Sequence, residues 1–427
     1  MHSFRHPGTV LTDHVFTVPL DHGDPAGPQI EVFAREVVAA AKTDARQPWL
    51  VFLQGGPGGA SPRPIGRESW LDRALNDYRV LLLDQRGTGR STPATRQTLA
   101  GLGSARAQAD YLANFRADSI VRDAEIIRRA LIGDEPWTVL GQSYGGFCAV
   151  TYLSLAPEGL REALITGGVP GLETTAEDVY RATYPRCAAK TAAHYVRYPE
   201  DADRARQVAR HLRSRDVALP DGTPFTVEAF QSLGHMLGMS TGTHTLHYLL
   251  EDPFAGDDLA EEFLYQVQPH IVMHNPIYAL MHEACYAQGK GATRWAAQRV
   301  RAEFAGFDPA AALDGDVPLL FTGEMIYPWM VDGEPRLRSL RAAADLLAER
   351  DDWPRLYDPD RLAANDVPAA AAVYFDDMYV DASFSLATAQ ATGSLRPWVT
   401  NEYEHDGLRV SSGAVLGRLI DMVRGEA

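Results

Sequence analysis

The sequence predicts an α/β protein, in which a mostly parallel sheet is flanked by helices and interrupted by a helical insertion. Short apolar runs without alternation occur at 49–53, 80–83, 137–140 and 163–165. Such runs are typical of strands that helices cover on both faces. Between the second and third runs, one segment repeats apolar residues every three or four positions, which predicts an amphipathic helix.

The elements follow in order along the chain. Residues 14–19 and 30–38 are rich in β-branched and aromatic side chains and predict two strands ahead of the first apolar run. The predicted helix is expected to begin at a cap provided by Asp118 or Ser119 and to end at Gly133. Alternating strands and helices imply right-handed crossovers and therefore a mostly parallel sheet.

The pattern changes near residue 173, where long helical segments replace the alternation. Strand signals return at 319–322, 369–374 and 398–400. The simplest arrangement is one sheet domain interrupted by a mainly helical cap. The predicted divisions are 1–172 for the first part of the sheet domain, 173–360 for the cap, and 361–427 for the second part.

Composition and charge narrow the class of protein. The 427 residues carry a formal net charge of −16, which argues against sequence-independent nucleic-acid binding. No apolar stretch approaches the roughly 18 residues that a membrane span needs, and residues 1–7 lack the apolar core of a secretory signal. Three scattered cysteines do not suggest a disulfide framework. We therefore expect a cytoplasmic protein without nucleic-acid or membrane partners.

One motif carries the chemistry. Residues 141–145 read Gly-Gln-Ser-Tyr-Gly and lie between an apolar run and a helix-compatible segment. This context predicts the nucleophile elbow of an α/β-hydrolase, a strained turn that presents Ser143 as the nucleophile. The alternative is an incidental serine in a glycine-rich turn, which the flanking segments disfavour.

A glycine loop follows the first apolar run, at Gly55–Gly59. In an α/β-hydrolase such a loop supplies one backbone donor to the oxyanion, and the residue after the nucleophile supplies the other. Gly56 and Tyr144 are the predicted donors. The competing interpretation, a phosphate-binding loop, lacks the G-K-[ST] ending that this chemistry requires.

The base and the acid come from the second part of the chain, since α/β-hydrolases have the order Ser, acid, His. His405 alone among the histidines lies beyond His282, so it is the predicted base. An acidic cluster follows the apolar run at 369–374, and Asp377 is the preferred acid because a carboxylate at a strand end can orient the imidazole. The alternatives are Asp376, Asp381 and Glu324.

Metal and cofactor sites are not expected. His270, His274 and His282 are spaced closely enough for a metal site to be considered. No H-E-x-x-H motif is present, however, and the three histidines do not share one helical face.

Five segments together resemble the proline iminopeptidase (prolyl aminopeptidase) family, serine peptidases of the α/β-hydrolase fold. They are residues 55–58, 84–91, 141–146, 373–381 and 401–409.

The resemblance implies a serine aminopeptidase that releases N-terminal proline from peptides through an acyl-enzyme. Ser143 would attack the carbonyl carbon, His405 would transfer the proton, and Asp377 would orient His405. In the family, cap glutamates bind the free amino or imino group, and Glu283 and Glu324 resemble these. A charged terminus in a pocket needs a carboxylate partner.

Two further expectations accompany the resemblance. Arg86 is expected to anchor loops beside the site rather than to react. The alternative function is a related capped serine hydrolase: an aminopeptidase of broader specificity, a tripeptidyl aminopeptidase or an esterase.

Overall fold

A nine-stranded sheet runs through the structure, a computed structural model that describes residues 2–271, 275–315 and 317–426. The strands are β1 (His2–His6), β2 (Thr9–Pro19), β3 (Gln29–Ala39), β4 (Trp49–Leu53), β5 (Arg79–Leu83), β6 (Trp137–Gln142), β7 (Leu160–Thr166), β8 (Phe254–Ala255), β9 (Asp258–Leu259), β10 (Gly289–Lys290), β11 (Asp352–Trp353), β12 (Ala369–Tyr374) and β13 (Leu395–Thr400). The large sheet has the order β1-β2-β3-β5-β4-β6-β7-β12-β13, and the two pairs β8–β9 and β10–β11 form small ribbons.

The sheet is antiparallel at one edge and parallel elsewhere. Strands β1, β2, β3 and β5 pair in antiparallel fashion, whereas β5, β4, β6, β7, β12 and β13 pair in parallel. The strands predicted at 14–19, 30–38 and the four apolar runs are confirmed, as are those at 369–374 and 398–400. The carboxyl ends of β4, β6, β7 and β12 lie side by side, so the loops that follow them converge.

Helices cover both faces of the sheet. In the two parts that surround the insertion, they are α1 (Ser69–Asp77), α2 (Arg96–Ala100), α3 (Ala105–Leu112), α4 (Ala117–Ile132), α5 (Tyr144–Leu155), α17 (Ala382–Ala391), α18 (Gly407–Val410) and α19 (Ala414–Arg424). Along β4, Leu50 and Phe52 pack with α1 and α19, while Val51 and Leu53 pack with α4 and α5. The strands are therefore buried on both faces, which explains their uninterrupted apolar character.

The predicted cap of α4 is wrong by two or three positions. Arg116 is the N-cap residue and makes no capping side-chain bond, so Asp118 and Ser119 lie inside the first turn. The start of α4 is set instead by tertiary contacts, because the guanidinium of Arg116 donates to the carbonyls of Pro354 and Ala287. The predicted end, before Gly133, is confirmed.

The insertion between β7 and β12 is mainly helical and has a core of its own. Among the buried members of this core are Tyr184, Phe230 and Phe321. The helices are α6 (Ala176–Arg197), α7 (Asp201–Ser214), α8 (Val227–Gln231), α9 (Gly242–Leu250), α10 (Glu261–Ile271), α11 (Pro276–Met281), α12 (Ala296–Arg301), α13 (Pro309–Leu313), α14 (Pro328–Gly333), α15 (Arg341–Ala348) and α16 (Pro359–Ala363).

The strand predicted at 319–322 is absent from the strands that the described residues form. Its backbone bonds to helical segments instead: Phe321 N–H donates to Thr191 Oγ1 at 3.2 Å, and Thr322 N–H donates to the Gln231 carbonyl at 2.9 Å. The apolar side chains of this segment fill the core of the insertion, so burial alone gave it the composition of a strand.

Candidate active site

Ser143 lies in a sharp turn between β6 and α5, with φ of 55° and ψ of −126°. A non-glycine residue holds this conformation only when its surroundings enforce it. Ser143 N–H donates to the Thr166 carbonyl on β7 at 3.0 Å. A side chain at Gly145 would place Cβ 1.9 Å from the Leu53 carbonyl oxygen, and one at Gly141 would place it 2.3 Å from the Gly145 oxygen. The glycines of the motif are therefore required by close packing.

The glycine loop after β4 approaches the same turn. A Cβ on Gly55 would lie 2.8 Å from the Cβ of Ser143, so only glycine permits this approach. Gly56 follows with φ of +135° and lines the same cavity as Ser143. Tyr144 is the first residue of α5, where a backbone N–H has no acceptor within the helix. The two predicted oxyanion donors thus lie on the two segments that flank Ser143.

His405 and Asp377 form a buried pair. His405 Nδ1 lies 2.7 Å from Asp377 Oδ2, and the two residues are 4% and 1% exposed. The other oxygen of Asp377 accepts the backbone N–H groups of Tyr379 at 2.8 Å and Val380 at 3.1 Å. His405 N–H donates to the Gly238 carbonyl at 3.1 Å. Both members of the pair are therefore fixed by backbone contacts.

The charges around His405 favour its protonated form. Burial of the imidazole lowers its pKa, but the neighbouring carboxylate of Asp377, with a smaller contribution from Glu324, raises the pKa of His405 above its ordinary value. The remaining candidate acids lie elsewhere: Asp376 is exposed, and Asp381 caps α17. Of the four carboxylates considered, Asp377 is the one that the structure places against His405.

Ser143 and His405 open onto one cavity of about 500 Å³ between the sheet and the insertion. Glu324 also lines it, and Glu324 Oε1 accepts a hydrogen bond from Tyr278 OH at 2.8 Å. Burial, followed by the charge of Glu324, holds the pKa of Tyr278 well above its usual range, so this phenol stays a donor. The cavity therefore combines a serine, an imidazole and a carboxylate. Further lining residues are Gly55, Gly56, His235, Met239, His270 and Arg409.

The structure does not bring Glu283 into this cavity. Its carboxylate is 8% exposed and accepts the backbone N–H of Ala297 at 3.0 Å, at the start of α12. Burial raises the pKa of Glu283 to about 7, although bonds from the backbone of Ala297 and Ala296 oppose this rise. Glu283 stays out of the cavity because the backbone N–H groups at the start of α12, which have no acceptor within the helix, bind its carboxylate.

The chain matches known proteins along almost its whole length. It is 50% identical to a proline iminopeptidase of Aeromonas sobria over 413 residues, covering 96% of each chain. It is 36% identical to a proline iminopeptidase of Aspergillus aculeatus, covering 95% of this chain and 91% of that one. The chain belongs to the proline iminopeptidase family. Residues 48–257 also match the model of the alpha/beta hydrolase fold, and a tripeptidyl aminopeptidase of Streptomyces lividans is 26% identical over 35% of this chain.

The expectation for Arg86 in this family member is confirmed. Its guanidinium is buried and contacts both oxygens of Asp123, at 2.7 and 2.6 Å. It also donates to the backbone carbonyls of Leu20, Asn114 and Pro19. Arg86 therefore ties three segments of the sheet domain together and does not reach the cavity.

Several cavity residues of this family member carry no sequence signal. Tyr278 and His235 match none of the motifs, and Arg409, although it ends the 401–409 segment, has no role assigned by it. Of the histidines considered as metal ligands, His270 lines the cavity, His282 is buried, and His274 lies outside the described residues. Among the described residues, no helix combines the length and the apolar character needed to cross a bilayer.

Proposed function

We propose that this chain is a serine aminopeptidase that releases N-terminal proline from peptides through an acyl-enzyme, with Ser143, His405 and Asp377 as its triad. The observation that carries the proposal is the position of Glu324, a carboxylate in the same cavity as Ser143 and His405. An exopeptidase has to recognise a charged terminus, and a carboxylate beside the nucleophile does so. The preference for proline rests on the family to which the chain belongs.

In the acylation step, Ser143 Oγ attacks the carbonyl carbon of the N-terminal residue while His405 Nε2 accepts the hydroxyl proton. The carbonyl oxygen becomes negative and is stabilised by the N–H groups of Gly56 and Tyr144. Asp377 holds Nδ1 of His405 and stabilises the imidazolium. His405 then gives the proton to the leaving nitrogen, the C–N bond breaks, and the shortened peptide departs.

Deacylation repeats these roles with water. His405 accepts a proton from the water, which attacks the ester carbonyl, and the same N–H groups stabilise the second oxyanion. The proton returns to Ser143 Oγ as the ester bond breaks, so proline and free enzyme are released. Throughout, the carboxylate of Glu324 binds the positively charged imino group, with Tyr278 fixing its orientation.

We further propose that residues 173–360 act as a cap whose inner surface completes the substrate site. Glu324 and Tyr278 come from this segment, whereas Ser143 and His405 come from the sheet domain. The cap thereby limits the length of chain that can lie on the N-terminal side of the scissile bond. We also assign the enzyme to the cytoplasm, since its three cysteines are buried thiols without disulfide partners.

The decisive experiment compares four substrates: a chromogenic prolyl amide, the matching alanyl amide, a tripeptidyl amide and a short ester without an amino group. The proposal predicts the highest kcat/KM for the prolyl amide and loss of turnover on all four in Ser143→Ala. Equal rates on the prolyl and alanyl amides would indicate an aminopeptidase of broader specificity. Preference for the tripeptidyl amide would indicate a tripeptidyl aminopeptidase, and preference for the ester would indicate an esterase.

A further inference from the structure

Arg409 is a cation at the rim of the catalytic cavity that has no acidic partner. It lines the cavity together with Ser143 and His405, and its side chain is exposed. Among the described residues, its guanidinium forms no salt bridge, and its one side-chain hydrogen bond runs from Nη2 to Met239 Sδ at 3.6 Å. Arg106, an exposed arginine on α3, is by contrast paired with Asp110 at 2.9 Å.

The surroundings of Arg409 fix its backbone but leave the guanidinium free to bind. Its carbonyl accepts Ser69 Oγ at 2.6 Å, and its N–H donates to the Asp406 carbonyl at 2.8 Å. The carboxylate of Asp406 is occupied by Ser240, whose N–H and Oγ lie 3.1 and 2.6 Å from Oδ1. The backbone of Arg409 is therefore held in place, while its guanidinium forms no salt bridge within the described part of the chain.

The cavity thus has charges of opposite sign. Glu324, bonded to Tyr278, is the negative group. Arg409 is the positive group, and it lies near enough to His405 to oppose the rise of that imidazole's pKa. His405 delivers a proton to the leaving nitrogen, so the leaving residue of a substrate has to pass His405 and therefore comes close to Arg409.

The size of the cavity matches a short peptide. A volume of about 500 Å³ corresponds to a sphere about 10 Å across, and an extended chain spans about 3.3–3.6 Å per residue. Two or three residues therefore fit in the cavity. A dipeptide or tripeptide is a zwitterion, so it carries one charge for each of the two charged groups, Glu324 and Arg409, that line the cavity.

We infer that Arg409 binds the C-terminal carboxylate of short peptides and gives the enzyme a preference for di- and tripeptides with a free C-terminus. The inference rests on the proposed function, because it assumes that the N-terminal residue occupies the side of Glu324. Arginine suits this role because its planar guanidinium binds a carboxylate through two parallel hydrogen bonds.

The test compares prolylglycine with prolylglycinamide, which differ in the charge at the C-terminus. The measured quantity is the ratio of kcat/KM for the free acid to that for the amide, in wild type and in Arg409→Gln. We expect this ratio to fall about fivefold in the variant, the upper range for a solvent-exposed ion pair. Removing Arg409 also changes the pKa of His405, but both substrates share that change, so the ratio isolates the carboxylate contact.

Two further variants and one condition complete the design. Arg409→Lys should recover part of the ratio, because it keeps the charge but loses the paired hydrogen bonds. Arg106→Gln removes the same charge from an exposed site on α3 and should leave the ratio at its wild-type value. Salt at about 0.5 M should reduce the wild-type ratio, since it screens exposed charges.

An unchanged ratio in Arg409→Gln would overturn the inference, as would an equal loss on both substrates. Either result would leave the proposed function intact, because prolyl activity would still be present. Absence of prolyl activity in the wild-type enzyme on both substrates and on a prolyl arylamide would reject the proposed function, and this inference with it.

Discussion

Glu324→Gln is the change that tests the site most directly. It replaces the carboxylate that we propose as the partner of the substrate's imino group with a neutral side chain of similar size. Tyr278 OH can still donate to the remaining side-chain oxygen, so the local geometry is preserved. The variant therefore removes charge without opening the cavity, and the expected result is a lower kcat/KM for prolyl substrates, mainly through KM.

The expected loss of kcat/KM follows from the surroundings of Glu324. Glu324 lines a cavity of limited size and keeps one oxygen engaged by Tyr278, so the substrate's cation gains one charged hydrogen bond there. Hydrogen bonds to charged groups contribute about 1.5–3 kcal/mol. With tenfold for each 1.4 kcal/mol, kcat/KM should fall by about 10- to 150-fold.

The assay measures kcat and KM for a prolyl arylamide and for a short ester without an amino group. Only the prolyl substrate should show a lower kcat/KM, because the ester has no cation for residue 324 to bind. Glu283→Gln is the matched control, since the same substitution is made at a buried carboxylate outside the cavity. We expect Glu283→Gln to alter thermal stability rather than the ratio of the two activities. An equal loss on both substrates in Glu324→Gln, or a larger selective loss in Glu283→Gln, would refute the assignment.

Three further predictions concern the triad and the fold. Asp377→Asn should lower kcat about 10⁴-fold, as expected for loss of the orienting acid. Asp376→Asn, at the exposed neighbouring residue, should leave kcat unchanged, and similar kcat values for the two variants would exclude Asp377 as the acid. Because His405 accepts a proton only when neutral and its pKa is raised, the acidic limb of kcat/KM should lie above the ordinary histidine pKa of about 6.5; a pH profile with its limb below that value would contradict this. Arg86→Ala should lower the free energy of unfolding by about 3–5 kcal/mol, since it takes the guanidinium away from the buried Asp123 and leaves that carboxylate only its contact with His22; a change below about 1 kcal/mol in urea denaturation would count against this anchoring role.

Much of the sheet could be predicted from local pattern. The runs at 49–53 and 80–83 contain no polar residue because helices cover both faces of their strands. The glycines around Ser143 are likewise local consequences of a turn that leaves no space for a Cβ. His405 followed from chain order, since it comes after the last strand and no later histidine exists.

Other features depended on contacts between distant segments. The side chains at 319–322 satisfy a strand pattern, yet their backbone bonds to Thr191 and Gln231 of the insertion. Glu283 and Glu324 look equivalent in sequence, but one binds the start of α12 and the other lines the cavity. Arg409 ends the 401–409 segment, but its position at the rim depends on how α18 packs beside Ser69.

The sequence by itself predicted most of the strands and pointed to Ser143 and His405 as the proposed nucleophile and base, because these depend on burial, on turns too tight for side chains and on chain order. Only the tertiary structure decided which of three nearby aspartates contacts His405 and which glutamate reaches the cavity. Those choices are set by the directions of side chains on separate segments, 28 residues apart for Asp377 and His405, and no local pattern encodes such a meeting.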